Sequence, residues 1–258
     1  MNLELKGKTA LVTGASRGIG LGVAETLAAE GAHLHICSRT EADLRAAKER
    51  IEKTHGVKVA IHPLDLSQSS SVKELAQACS DVDILVNNAG AIPGGDLEAI
   101  NEELWREAWD LKVFGYVNLT REMLRRMKAR GHGVIVNVIG LAGERPNAGY
   151  IAGSAGNASL MAFTRALGAG SLDYGVRVVA VNPGPVETDR NVYLNKIRAK
   201  AELGDESRWR ELYKKMPLGR AASVREVADT VVYLASPRAA YISGTVVTVD
   251  GGISGRAP

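Results

Sequence analysis

Two cysteines in 258 residues, Cys37 and Cys79, cannot build a disulfide framework, and they point to a reducing compartment. A dominant charge is also missing. The 32 basic and 29 acidic side chains leave a formal net charge of +3, without the field that would draw nucleic acid or a membrane surface. No apolar run approaches the roughly 18 residues that span a bilayer, and the opening stretch Met1 to Lys8 lacks the charged-then-apolar character of a leader. The expectation is a soluble, cytoplasmic protein with neither nucleic acid nor membrane as partner. What the chain does have is 45% apolar residues and 28 glycines, the composition of a globular protein rich in tight turns. Its length suits one large α/β domain that buries most of its surface without staples.

Short runs rich in Val, Ile and Leu fall at 9–13, 33–37, 58–62, 83–87, 134–139, 177–182 and 244–249. Between them lie amphipathic segments at 18–30, 40–54, 68–79, 101–130, 150–172 and 223–236. Near-continuous apolar strands alternating with helices predict an α/β fold: a doubly wound parallel sheet covered by helices on both faces. With no linker, repeat or low-complexity tract, residues 1–258 are expected to form a single Rossmann-type domain. A charged, mostly helical insertion at about 188–217 falls near the carboxyl ends of the strands, where it would serve as a substrate lid.

The first strand runs into Thr13-Gly14-Ala15-Ser16-Arg17-Gly18-Ile19-Gly20, a glycine turn that opens a helix. Gly14 suits the tight turn, Gly18 the approach of backbone to a pyrophosphate, and Gly20 close packing of helix on sheet. The helix N-terminus then offers free N–H groups and the positive end of its dipole to phosphates. Packing glycines are the plain alternative, but the strand–turn–helix setting favours a dinucleotide site. The second strand ends in Cys37-Ser38-Arg39, with no carboxylate for a ribose 2′-hydroxyl. Arg39 and Arg17 can instead meet a 2′-phosphate, so NADP(H) is expected over NAD(H). Two solvated arginines are the alternative.

These residues resemble the short-chain dehydrogenase/reductase family, and the likeness runs along essentially the whole chain. It is carried by the glycine turn, Asp65-Leu66, Asn87-Asn88-Ala89-Gly90, Pro183-Gly184 with Thr188 four residues on, and Asp250-Gly251-Gly252. The resemblance implies a seven-stranded sheet, Asp65 and Leu66 at the adenine, and Asn88, Ala89 and Gly90 beside the ribose. It also implies Pro183, Gly184, Val186 and Thr188 around the nicotinamide, and a homodimer or homotetramer built on segments 101–130 and 150–172.

The resemblance further implies four working residues, an Asn, a Ser and a Tyr-x-x-x-Lys pair, and here the chain departs. Aligned without gaps on Ala158 to Gly168, the Lys position holds Asn157, the Tyr position Gly153 and the Ser position Gly140, while Lys112 stands for the Asn. Lys112 and Asn157 look like an exchange that keeps one ammonium and one amide in the relay; independent drift is the other reading. Tyr150, three residues before Gly153, has a phenol that can enter the space left by the missing side chain, or it is a wall of the pocket. Lys112, Tyr150 and Asn157 are therefore the candidate catalytic residues. The expected function is that of an NADP(H)-dependent oxidoreductase acting on the carbonyl or hydroxyl of a small organic molecule. The alternative is a nucleotide-binding protein without redox turnover: a sensor, a partner subunit or a non-redox catalyst.

Two other constellations stand out. His33, His35 and Cys37 alternate on the second strand, but a buried sheet position favours packing, so no metal is expected. The insertion carries eight basic residues, among them Arg190, Lys196, Arg198 and Arg208, against five acidic ones. They would suit a substrate with an anionic tail or simply form a solvated helical face.

Overall fold

In the computed structural model, which describes residues 1–256, seven parallel strands form one sheet in the order β3-β2-β1-β4-β5-β6-β7. They are β1 Thr9–Thr13, β2 His33–Ser38, β3 Val59–Pro63, β4 Ile84–Asn87, β5 Gly133–Val138, β6 Val176–Pro183 and β7 Val246–Val249. The helices are α1 Gly18–Ala29, α2 Glu41–His55, α3 Ser69–Ala78, α4 Glu102–Trp109, α5 Gly115–Arg130, α6 Ile151–Ser171, α7 Asp189–Leu203 and α8 Val224–Ala235. The expected doubly wound architecture and its seven strands are thus present.

The two-residue side-chain period of each strand divides the core. From β1, Ala10 and Val12 join Val23 and Leu27 of α1, Leu44 and Ile51 of α2, and Val227 and Val231 of α8. Leu11 points the other way, to Val72 and Leu75 of α3 and Leu119 and Met123 of α5. Beside these, Leu160 and Met161 of α6 pack with Tyr116, Ile139 and Ala180. Because both faces are covered, most strands carry no polar alternation; β2, with His33 and His35 between Leu34 and Ile36, is the exception.

Strand order reverses beside β1, whose neighbours β2 and β4 lead off in opposite directions. Loops leaving the carboxyl ends diverge there and open a crevice, the usual ligand position of such sheets.

Segment 101–130, expected as one helix, is interrupted. Residues Asp110–Phe114 form a π-helical turn between α4 and α5, a local widening that recurs at functional sites. It holds Lys112. The 188–217 segment consists of α7 and a 3-10 stretch at Glu206–Tyr213, packed on a small core of Ala199, Trp209, Tyr213 and Ala221.

Candidate cofactor and active-site cleft

A cleft of about 940 Å³ runs along the carboxyl ends of the strands. Its walls include Gly14, Ser16, Arg17, Gly18, Ile19, Ser38, Arg39, Leu66, Asn88, Ala89, Gly90, Pro183, Gly184, Val186 and Thr188. Lys112, Tyr150 and Asn157 line the same space. The sequence-derived candidates therefore converge, with two exceptions. Gly20 lies behind the wall, and Asp65 does not line the cleft.

Backbone chemistry explains the glycine end. Gly14 and Gly18 have φ of +64° and +59°, the left-handed region that penalises a side chain. A Cβ on Gly14 would come within 2.9 Å of the Ala89 Cα. One on Gly20 would strike the Gly14 carbonyl and the Asn88 amide, so its role is to let α1 seat against the strand ends. Asn88 fastens the two loops by donating from Nδ2 to the Thr13 carbonyl at 3.0 Å and the Gly14 carbonyl at 3.2 Å. The Thr13 hydroxyl accepts from the backbone N–H groups of Asn88 and Ala89 at 2.9 and 3.1 Å.

This cradle fits a dinucleotide. No side chain caps the N-terminus of α1, where Arg17 is the extended cap residue, so its first N–H groups remain for phosphate oxygens. The Ser38 hydroxyl is buried without a hydrogen-bond partner at the end of β2, an orphan that a ribose or phosphate oxygen would satisfy. Arg17 and Arg39 are exposed beside it. Asp43 also lines this end. The Asp65 carboxylate accepts from the Ser67 N–H at 3.0 Å and so organises the turn ahead of α3.

At the opposite end Lys112 is 8% exposed and has no carboxylate partner. Its ammonium donates to the Tyr116 hydroxyl at 2.9 Å and to the carbonyls of Val138 and Ile139 at 2.8 and 3.2 Å. The nitrogen lies 4.6 Å from the Tyr116 ring centre. Burial pulls its pKa down from 10.5 to about 7, against three oxygen acceptors that favour the charged form. The stem crosses Gly90, where a Cβ would strike its Cδ, so that glycine makes room for the lysine. No direct Lys112–Asn157 hydrogen bond forms among the described residues; the ammonium is held by Tyr116 and the end of β5.

Asn157, 4% exposed, faces Gly140, whose Cβ would lie 2.8 Å from the Asn157 Nδ2. Gly140 also has φ +147°, and its N–H donates to the Asn182 Oδ1 at 3.3 Å. Its lack of a side chain leaves the Asn157 amide directed at the cleft. No hydrogen bond to that amide forms among the described residues.

Tyr150 is the N-cap residue of α6. Its ring occupies the volume over Gly153: a Cβ there would lie 2.6 Å from the ring Cδ1 and overlap Cε1 and Cζ. The backbone fixes this placement. Gly95 donates to the Gly149 carbonyl at 2.8 Å, and Ile151 donates to the Gly95 carbonyl at 3.2 Å. The Ser154 N–H donates to the Tyr150 carbonyl at 2.8 Å, opening the helix. Burial raises the phenol pKa above 10, and the Arg190 guanidinium works in the opposite direction. Arg190 itself donates to the Ile92 carbonyl at 3.2 Å across the cleft mouth. Tyrosine's neighbouring cation is thus Arg190 rather than Lys112.

Of the basic insertion, Arg198, Arg208 and Lys214 pair with Glu202 and Glu211 at 2.6–3.1 Å on the surface. Only Arg190 of its basic residues lines the cleft, joined by Asp189, Asn191, Tyr193 and Leu194. Periodicity flagged the insertion but did not single out which of its residues face inward. Leu111, Val138, Ile139 and Ile92 complete the walls as ordinary core-type residues with no chemical signature. No helix among the described residues is long and apolar enough to cross a membrane.

Comparison with known proteins agrees with this geometry. Residues 8–199 match the short chain dehydrogenase family model. A 3-oxoacyl-[acyl-carrier-protein] reductase of Vibrio harveyi is 35% identical over 254 residues, covering 98% of this chain and 99% of that protein. The structure of L-sorbose reductase from Gluconobacter frateurii, complexed with NADPH and L-sorbose, is 31% identical and superposes with a TM-score of 0.94 over 100% of both chains. An actinorhodin polyketide ketoreductase structure with NADPH is 32% identical, with a TM-score of 0.91 over 97% of this chain and 98% of that one. With the glycine turn, the sheet order and the cleft all in place, the chain belongs to the short-chain dehydrogenase/reductase family of oxidoreductases.

Proposed function

We propose that the protein is an NADP(H)-dependent reductase of a small carbonyl compound, working through a rearranged active site in which Tyr150 is the proton donor. The observation that carries this reading is the Tyr150 ring seated over Gly153 inside the cleft. A family member with glycine at the tyrosine position would otherwise have no phenol there. Gly14, Ser16, Arg17, Gly18 and Ile19 would hold the pyrophosphate, with Gly20 seating α1 behind them. Ser38, Arg39, Leu66 and the Asp65 turn would hold the adenosine end. Asn88, Ala89 and Gly90 would border the ribose, and Pro183, Gly184, Val186 and Thr188 the nicotinamide. Bound there, NADPH supplies a hydride.

Preference for NADP(H) over NAD(H) is supported by Arg17 and Arg39 at a strand end that has no acid, and by NADPH in the sorbose reductase and polyketide ketoreductase structures. Burial keeps the Tyr150 phenol protonated at neutral pH, so it can donate to a developing alkoxide. That favours reduction, because oxidation would need the phenolate. Arg190 stabilises negative charge at that oxygen. The free Asn157 amide is placed to donate to a substrate or ribose oxygen. Lys112 positions the floor of the site by fixing the carbonyls at the end of β5.

We further propose that residues 1–258 act as one domain with 188–217 as its lid, Tyr193 and Leu194 giving that lid an apolar inner face. A chain pairing through 101–130 and 150–172 is supported by the exposed Leu104, Phe114 and Leu172 on those segments. The test of function is NADPH oxidation against a panel of 3-oxoacyl thioesters, ketoses and cyclic ketones. Turnover with any class supports the reading. Tight NADPH binding with silence across the panel would favour a nucleotide-binding protein without redox turnover.

A further inference from the structure

On the face of the sheet opposite α1, away from the reaction end of the cleft, three ligand-type side chains meet. His35 of β2 and His62 of β3 stack with ring centres 5.1 Å apart and planes 13° from parallel. The His35 Nδ1 and His62 Nε2 are 2.9 Å apart. The Cys79 Sγ, at the end of α3, is 3.7 Å from the same His62 nitrogen. All three donor atoms lie within 4.8 Å of one another. The strand register explains the meeting: His62 pairs with Cys37, so it shares a face with His35, and α3 brings Cys79 down onto that face. In the sequence, the alternating His33, His35 and Cys37 read as packing residues, and no metal was expected there. His33 accepts a hydrogen bond from the Lys58 N–H, and the Cys37 thiol donates to the Leu64 carbonyl at 3.8 Å.

We infer that His35, His62 and Cys79 form a binding site for a soft divalent ion, Zn²⁺ fitting best, that clips β2 and β3 to the end of α3. Tetrahedral zinc takes nitrogen at about 2.0–2.1 Å and sulfur at about 2.3 Å, which sets neighbouring donors roughly 3.3–3.6 Å apart. The 2.9 and 3.7 Å spacings lie on either side of that range and the third pair lies within 4.8 Å, so side-chain rotation about χ1 and χ2 has to seat the ion. A thiolate and two imidazoles are the donor set that selects zinc over calcium or magnesium. The fourth position is open to water.

On binding, the Cys79 S–H bond is lost, a sulfur–metal bond forms and one proton leaves to solvent. The proton shared between the imidazoles moves to a ring nitrogen facing away, so no second proton is released.

The test uses the reduced, chelator-stripped full-length protein. Co²⁺ serves as a spectroscopic probe, and Zn²⁺ is titrated against a chromophoric chelator. One ion per chain is expected, with a thiolate-to-cobalt charge-transfer band that is absent in Cys79→Ser and present in Cys37→Ser. His62→Gln should weaken Zn²⁺ by about tenfold or more. On the wild-type protein, one proton should appear per Zn²⁺ bound and the melting temperature should rise with Zn²⁺ concentration. No binding at equimolar metal, or binding that Cys79→Ser and His62→Gln leave unchanged, overturns the inference.

Discussion

Replacing Gly153 by alanine adds one methyl group and should separate stability from activity. The new Cβ would stand 2.6 Å from the Tyr150 Cδ1 and overlap Cε1 and Cζ, whereas carbon atoms rest at about 3.5–4.0 Å. The ring must therefore move by an ångström or more, and it can, because Tyr150 is only partly buried and borders the open cleft. Alanine favours an α-helix over glycine by about 0.5–1 kcal/mol. That gain offsets part of an overpacking penalty of about 1–3 kcal/mol. The melting temperature of Gly153→Ala should thus stay within a few degrees of wild type. Loss of a positioned proton donor lowers rate by about 10²–10⁴, so kcat for NADPH-dependent carbonyl reduction should fall at least about 100-fold while the Kd for NADPH is unchanged. Steady-state kinetics on the best panel substrate, NADPH fluorescence titration and thermal melting read the three quantities. A variant that retains kcat within about threefold would refute the placement of Tyr150 as donor.

Arg39→Ala should erase most of the preference for NADP(H) in nucleotide titrations, because it removes the guanidinium at the end of β2 and leaves Arg17 as the sole cation of the pair; NADP(H) and NAD(H) binding equally well in the wild type would remove the argument. With a Tyr150 pKa raised above 10, reduction should persist through neutral pH and fall only as pH climbs past that value, since the acid must be protonated; a loss of kcat centred near pH 7 would assign the proton to Lys112. The Lys112 pKa is lowered from 10.5 to about 7 in the folded state, so between those values the unfolded chain binds the extra proton. Stability gained from this group therefore rises with pH across that window, by at most about 1.4 kcal/mol per pH unit. Denaturant unfolding of wild type and Lys112→Met should show the advantage of the methionine variant shrinking from pH 6 to pH 9; a difference independent of pH would mean the lysine stays charged. Phe114→Glu should shift the protein toward monomer in light-scattering measurements if 101–130 is the association surface, and unchanged mass would move the interface elsewhere.

Much of this architecture was legible in the sequence because its determinants are local. Apolar runs such as Ile84-Leu85-Val86 and Val178-Val179-Ala180-Val181 announced buried parallel strands. The glycine turn marks the position of the crevice in the sequence itself. Side-chain partnerships were less legible, since they depend on register between distant segments. Lys112 and Asn157 read equally as an exchanged pair or as drift, and only the folded chain shows the ammonium, on the π-helical turn at Asp110–Phe114, donating to Tyr116 and to the Val138 and Ile139 carbonyls. Asp65 was expected at the adenine; the sequence did not show that one of its carboxylate oxygens accepts from the Ser67 N–H. Arg190 carried no signature that set it apart from the other basic residues of the insertion, and only the seating of α7 brings it near Tyr150. His62 was overlooked because its strand partner, not its own sequence neighbourhood, gives it meaning.

The central claim, that Tyr150 supplies the proton in an NADP(H)-dependent reduction, is tested most directly by Tyr150→Phe, which removes one oxygen and keeps the ring over Gly153. Single-turnover NADPH oxidation with saturating carbonyl substrate should slow by about 100-fold or more, with NADPH affinity and melting temperature held at wild-type values. A phenylalanine variant that turns over at the wild-type rate would contradict the account.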